Sequence, residues 1–421
     1  MLKKVFSDKF FRHNAIVFAG SMTAAFLNYL FHPVLSRLMS VQDFGEVQAL
    51  LSLSNNLMFL GIFGAIVVNI VANTDMADEA AARERMAVIT ALNQLATALS
   101  LLVFVAVAAS SLKLQSFFQF HSYLPFLALA PAVLISVSTV FRRSYLRGVL
   151  NFKVGAVTDI LVAGGRLCFA AFLVWLGLRA FGVMIGVVLA MAGGWLYVYA
   201  SSRRGFAYVR GVKLRLDERL RSELRFGLLI LVVTVAMTAA MTADVLVVKH
   251  YFAPAEAGLY SGIATIARIV IYVTGSVTSV MASSVRLRED ERRNRAVLAK
   301  ALGLTLLLGG SVFAVFVACP HFVISILIGS RYDAAAALLP RLSLFMLLLS
   351  LVSTLFSYHQ ALRHNFIAIV GLAGLVTIFG LAAMRHAAPA EVVQDFTAGA
   401  LVMLLMFAAK WLWTAVHPRT V

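Results

Sequence analysis

Residues 36–53 read SRLMSVQDFGEVQALLSL and residues 243–270 read ADVLVVKHYFAPAEAGLYSGIATIARIV, and the two stretches share a spacing. Asp43 aligns with Glu256 and Gly45 with Gly258, each pair 213 positions apart and just ahead of an apolar run. An acid two residues before a glycine suits a helix N-terminus, where the carboxylate complements the dipole and the glycine permits a sharp turn. Self-similarity at one long offset marks an internally repeated architecture. The halves are expected at residues 1–213 and 214–421.

The surroundings of both stretches say what is repeated. Of 421 residues, 61% are hydrophobic and 13% charged, whereas a water-soluble surface needs roughly a quarter to a third charged residues. Apolar runs able to cross about 30 Å of hydrocarbon recur from end to end. There are twelve, near 14–36, 46–71, 87–110, 121–141, 155–177, 181–201, 226–250, 259–284, 297–328, 337–358, 365–384 and 396–416. The ninth is overlong and holds Pro320, so a kink or an early end is expected there. Six spans separate the two matching loops, so both halves enter the membrane in the same direction and should be related by an axis along its normal. The expected fold is an all-α integral membrane protein of about twelve transmembrane helices, in two pseudo-symmetric six-helix bundles around a central cavity.

The chain carries 36 Lys plus Arg against 19 Asp plus Glu, a net charge of +17. Twenty-six of those cations fall on one set of loops and five on the opposite set. Cations are retained on the cytoplasmic side of short loops, so both termini are expected inside. The basic excess therefore belongs to topogenic loops and not to a nucleic-acid footprint. Residues 202–225 alternate Arg with Asp217, Glu218 and Glu223, like a short amphipathic surface helix. The basic start MLKKVFSDKFFRHN precedes an apolar stretch longer than a signal-peptide core, which reads as a retained first span. Cys168 and Cys319 both lie in apolar runs, so neither a disulfide framework nor a cysteine metal site is expected.

Polar residues inside the spans carry the functional signal. In span eight Ser261, Thr265, Arg268, Tyr272, Gly275 and Ser279 recur on one helical face. An arginine at mid-depth costs at least a few kcal/mol unless it meets water, a counter-ion or a polar ligand. Arg268 should therefore point at a cavity or at a buried acid. Moving back 213 positions reaches Asn55, with Gln48 and Ser52 close by. Arg166 sits near the middle of span five with Asp159 seven residues earlier on the same face, either as a compensated pair or as a cavity cation. Lys249 and Arg37 extend the candidate cationic set, although both lie near outer span ends, where snorkelling is the other account. Asp244 is an acid at depth, five residues from Lys249 and too far around the helix to pair with it there. It is the candidate ion-coupling residue.

Such a cationic set suits a phosphorylated cargo, because arginine offers bidentate hydrogen bonds to phosphate. The sequence holds no GxxxxGK[ST] nucleotide-binding loop and no HExxH or CxxC motif. Neither catalytic acids nor a large external loop supports a membrane glycosyltransferase or ligase, so a secondary transporter without cofactor or metal is expected.

Together with IGSRYDAAAALLPRLSL at 328–344, the two opening stretches resemble the Wzx-type polysaccharide flippases of the multidrug/oligosaccharidyl-lipid/polysaccharide (MOP) exporter superfamily. They look like that family's outer loops ending in acid-x-Gly-x-Tyr and its later Phe-Gly-x-x-Tyr-x-x-Ala element. Val47 stands where Tyr is typical and Ile328 where Phe is. The resemblance implies a flippase in the bacterial inner membrane, moving undecaprenyl-pyrophosphate-linked oligosaccharide repeat units to the outer leaflet by alternating access. It also implies a proton or sodium gradient as driving force, contact with membrane lipids, an O-antigen, capsule or exopolysaccharide product, and a polymerase and chain-length regulator as partners. Sister readings are a peptidoglycan-precursor flippase and a multidrug or ion antiporter. A cationic-drug exporter would want an acid in the first span, and none lies between Asn14 and Leu35. A major-facilitator carrier would want Gly-x-x-x-Asp-Arg-x-Gly after span two, where this chain reads NTDMADEAAARERM.

Overall fold

The computed structural model describes residues 9–72, 79–203, 205–206, 209, 218–285 and 290–416. Regular structure among them is entirely helical, and contacts group it into two compact units. The first comprises Met1–Asp43 and Leu57–Gly227, the second Phe44–Asn56 and Leu228–Val421. The boundary expected between 213 and 214, like residues 210–217 of the basic stretch, lies outside the described residues.

The chain opens with α1 (Lys9–Leu38) and α2 (Val41–Leu57), then a 3-10 stretch, Met58–Ile62, and α3 (Phe63–Ala72). The first unit continues with α4 (Glu79–Ala109), the short α5 (Ser111–Phe117), α6 (Leu124–Gly148), α7 (Phe152–Trp175) and α8 (Arg179–Ser202). The N-terminus of α2 follows its sequence signature. Ser40 Oγ accepts from the Asp43 backbone N–H at 3.1 Å and donates to Asp43 Oδ2 at 2.7 Å, satisfying a donor that the helix leaves open. Small residues bring α7 and α8 together, because a Cβ on Gly186 would stand 2.6 Å from the Ala170 backbone nitrogen. Backbones that close need glycine, as small residues allow at helix contacts in membranes. Gly186→Ala should therefore wedge α7 from α8 and reduce folded protein in membranes, measured by fluorescence-detected size exclusion.

The second unit holds most of α9 (Glu218–Tyr251), then α10 (Pro254–Ala267) and α11 (Ile269–Ser284), which are parted only by Arg268. It continues with α12 (Glu291–Ala318), short α13 (Pro320–Leu327), a 3-10 stretch Ser330–Ala335, α14 (Leu338–Ala361), α15 (Ile367–Met384) and α16 (Pro389–Val416). Pro254 and Pro320 each occupy a first helical position, where the missing N–H costs nothing. The overlong ninth run thus ends at Ala318 and restarts at Pro320, as its proline requires.

Eleven stretches among the described residues are long and apolar enough to cross a membrane. Twelve were expected; the first, near 14–36, falls on α1, whose side chains before residue 20 lie outside the described set. Two of the eleven are interrupted. Val41–Val68 loses α geometry at Met58–Ile62, and Pro254–Ser284 breaks at Arg268. Shifted by the repeat offset of 213, Asn55 falls on Arg268, so both copies break within one turn of the same place.

Two contacts of the second unit join residues that the sequence had only matched or grouped. A Cβ on Gly45 would lie 2.7 Å from Gly258 Cα, so the paired glycines of the repeat cross each other backbone to backbone. Beside them the Tyr332 ring fills the space where Gly262 lacks a side chain and meets Phe44 edge-on at 5.8 Å between centroids. Burial pushes the Tyr332 hydroxyl above its ordinary range, only partly opposed by Arg331, so the ring stays neutral.

Candidate functional site

In the second unit Arg268 fills the turn between α10 and α11 and is 5% exposed. Its Nη2 donates to Asp244 Oδ1 at 2.8 Å and its Nε to the Met241 carbonyl at 3.0 Å. Tyr260 donates its hydroxyl to Asp244 Oδ2 at 3.1 Å, and both Asp244 and Tyr260 are fully buried. Of the two destinations open to Arg268, the structure therefore gives the buried acid. The reading of Asp244 as an unpaired acid is corrected in the same stroke. Its partner lies on another helix, 24 positions on, which intrahelical spacing could not reveal. This arginine does not add an uncompensated charge to the cationic set.

In the first unit the Arg166 guanidinium lies over the Phe31 ring at 4.1 Å from its centroid, α7 against α1. A cation over an aromatic face is held by the ring quadrupole, by about 0.5–2 kcal/mol depending on desolvation. The carboxylate proposed to compensate Arg166, Asp159, has a partner on another helix. Asp159 binds Arg143 of α6 through both oxygens, at 2.7 and 2.5 Å, because a facing helix places a cation nearer than two turns along its own. Arg142, one residue away, is buried under Tyr199 and Phe206 and donates to Ser202 Oγ at 3.1 Å.

The remaining candidates scatter. Asn55 is exposed, and its neighbour Asn56 makes the contact, donating Nδ2 to Thr242 Oγ1 at 2.9 Å and to the Ser52 carbonyl at 2.8 Å. Lys249 is fully buried and engaged, which corrects the expectation that it snorkels to an interface. Arg37 is exposed and its Nη1 donates to the Pro33 carbonyl at 3.0 Å. Only Arg268 and Asp244 of the candidates meet directly in a described contact. Arg166 and Arg37 belong to the first unit, and Asn55, Asp244, Lys249 and Arg268 to the second.

Sequence reasoning passed over Asn56, Thr242 and Tyr260. For Tyr260 the signal was present: it stands two after Gly258, at the last position of the acid-x-Gly-x-Tyr pattern, and its hydroxyl explains why a tyrosine is wanted there. Asn56 and Thr242 carry no motif.

The described residues are all helical where they are regular, with helices broken at repeat-related positions, and the fold is similar to those of solved transporters of the MOP superfamily. An inward-facing MATE family multidrug resistance transporter matches with TM-score 0.71 at 13% identity, over 94% of this chain and 95% of that one. The lipid II flippase MurJ in an inward closed conformation gives 0.72 at 14%, covering 94% and 87%. A MOP superfamily transporter from Pyrococcus furiosus gives 0.58 at 15%, covering 94% and 93%. At such identities the likeness is one of fold. No curated protein matches the chain. Residues 11–282 match the family described as polysaccharide biosynthesis protein, and the chain belongs to that family.

Proposed function

We propose that the protein is a flippase carrying undecaprenyl-pyrophosphate-linked oligosaccharide repeat units across the bacterial inner membrane by alternating access, with both termini cytoplasmic. Its product would supply O-antigen, capsule or exopolysaccharide, handed to a polymerase and a chain-length regulator. The observation that carries this reading is membership of the polysaccharide biosynthesis family across residues 11–282, with eleven stretches among the described residues long and apolar enough to cross a membrane.

Arg166 is the residue proposed to meet the pyrophosphate, because it is a partly exposed cation within a membrane span and a guanidinium matches phosphate geometry. Arg268 acts on the cargo only through the shape of the α10–α11 break. Asp244 remains the proposed coupling residue for a proton or sodium gradient, because a proton taken up there would cancel the carboxylate and release Arg268. The fold shared with the lipid II flippase favours one second reading, transport of a peptidoglycan precursor.

Deleting the gene in its own host separates the two: loss of surface polysaccharide with intact cell shape supports the first reading, and lysis the second. In that strain Arg166→Ala should lower surface polysaccharide about tenfold or more at unchanged protein abundance, as expected for losing charged hydrogen bonds of roughly 1.5–3 kcal/mol each. Wild-type polysaccharide in Arg166→Ala would remove Arg166 from the cargo path.

A further inference from the structure

Among the described residues one group of acidic and histidine side chains comes close enough to share an ion. Asp43, Glu46 and His121 each offer one ligand atom, and these atoms lie within 4.8 Å of one another. Ligands at about 2.1 Å from a tetrahedral metal stand about 3.4 Å apart, so small side-chain rotations close the group on one ion. None of the three takes part in the cargo or coupling roles above.

Two elements bring these side chains together. Asp43 lies in the first turn of α2 and Glu46 three positions on, which puts both carboxylates on one helical face. His121 belongs to the loop 118–123 between α5 and α6 and, like Asp43, to the first unit. That loop is held in shape. The Phe120 N–H donates to the Gln115 carbonyl at 2.9 Å, and Gln115 Nε2 donates to the Phe120 and His121 carbonyls at 3.4 Å. The buried Phe120 ring packs on Phe126 at 4.7 Å between centroids. A histidine on a pinned loop loses little further freedom when it takes a ligand.

One oxygen of the group lacks a partner. Asp43 is 9% exposed; its Oδ2 accepts from Ser40 Oγ, while its Oδ1 is buried and receives no hydrogen bond from the described residues. A carboxylate oxygen buried in that way costs free energy that a bound cation recovers. Glu46 is buried as well, so two acids lie one turn apart, where like charges repel. Glu46 and His121 each have a partner. A carboxylate has two oxygens and an imidazole two nitrogens, so each can keep a contact and still offer one ligand atom. His121 is exposed and gives an ion a way in from solvent.

We propose that Asp43, Glu46 and His121 bind a divalent transition-metal ion of the Zn²⁺ class, tying the first turns of α2 to the α5–α6 loop. Carboxylate oxygen and imidazole nitrogen are both zinc ligands, and three of them leave a fourth position for water. The nitrogen disfavours Mg²⁺ and Ca²⁺, which take oxygen ligands, and a set without thiolate or thioether disfavours Cu(I). The site stands whether or not the cargo is a lipid-linked oligosaccharide.

The test uses the full chain purified in detergent with a histidine-free affinity tag and stripped with chelator. Zn²⁺ should load one ion per chain, counted by elemental analysis after desalting, and raise the melting temperature. Co²⁺ in its place should give the visible absorption of a tetrahedral site. Asp43→Asn keeps an oxygen for Ser40, and His121→Ala removes an exposed side chain. Both variants should melt close to wild type without metal and bind Zn²⁺ at least about tenfold more weakly, a loss that even outer-shell partners of a metal produce. His321→Ala, which breaks the exposed His321–Asp333 pair, should bind as wild type does. Absence of a stoichiometric ion, stabilisation by Mg²⁺ or Ca²⁺ equal to that by Zn²⁺, or wild-type binding in both site variants overturns the proposal. If Asp43→Asn is unstable without metal, His121→Ala decides alone.

Discussion

Replacing Asp244 with Ala is expected to remove most of the folded protein from the membrane. The substitution leaves the Arg268 guanidinium buried without its counter-ion and the Tyr260 hydroxyl without its acceptor. Breaking a buried pair by deleting one partner costs about 3–5 kcal/mol, against a total folding margin of roughly 5–15 kcal/mol. Arg268→Ala should do the same from the other side, stranding a fully buried carboxylate. The revealing variant is the pair together. Asp244→Leu with Arg268→Met removes both charges and keeps apolar volume, which is often neutral or better for stability. Abundance should recover toward wild type in the double variant, measured by immunoblot of membranes and by thermal unfolding in detergent. If either single variant keeps wild-type abundance and melting temperature, the cluster is not what holds α9 to the α10–α11 break.

The second large effect is expected at Gly45. Even the smallest side chain there would place Cβ 2.7 Å from Gly258 Cα and 3.1 Å from its nitrogen, and backbone atoms, unlike side-chain tips, cannot swing aside. Overpacking of this kind costs about 1–3 kcal/mol, so Gly45→Ala should lower the melting temperature in detergent and the folded protein recovered from membranes. Surface polysaccharide should fall with it, because the wedge opposes the packing of α2 on α10. A wild-type melting temperature in Gly45→Ala would show that the crossing is not required. Gly303→Ala is the matched control for added bulk, since its new methyl meets nothing within 4 Å.

Much of the architecture was legible because membrane spans announce themselves one at a time: a run of 20 apolar residues needs no knowledge of its neighbours. Pro320 ended a helix for reasons local to its own ring. The repeat was legible too, but only as correspondence. An offset of 213 says that Gly45 and Gly258 occupy equivalent places, and it cannot say that they touch. The candidate site failed at the same frontier. Spacing ruled out Lys249 as the intrahelical partner of Asp244 and drew Asp159 toward Arg166, yet in both cases the partner came from a different helix, Arg268 for one and Arg143 for the other. Which faces of two helices meet depends on rotations that a single strip of sequence does not contain. Lys249 was misjudged for a related reason: closeness to a span end suggests an interface, whereas its full burial comes from other helices packing over it.

The fit of the Tyr332 ring beside Gly262 has a consequence for how such chains can diverge. Because the aromatic edge occupies the volume that a methyl at position 262 would claim, the two sites share a fixed allotment of space. Natural variants enlarged at 262 should carry a smaller residue at 332, and a library randomised at both should return compensated combinations while discarding those that are bulky at each.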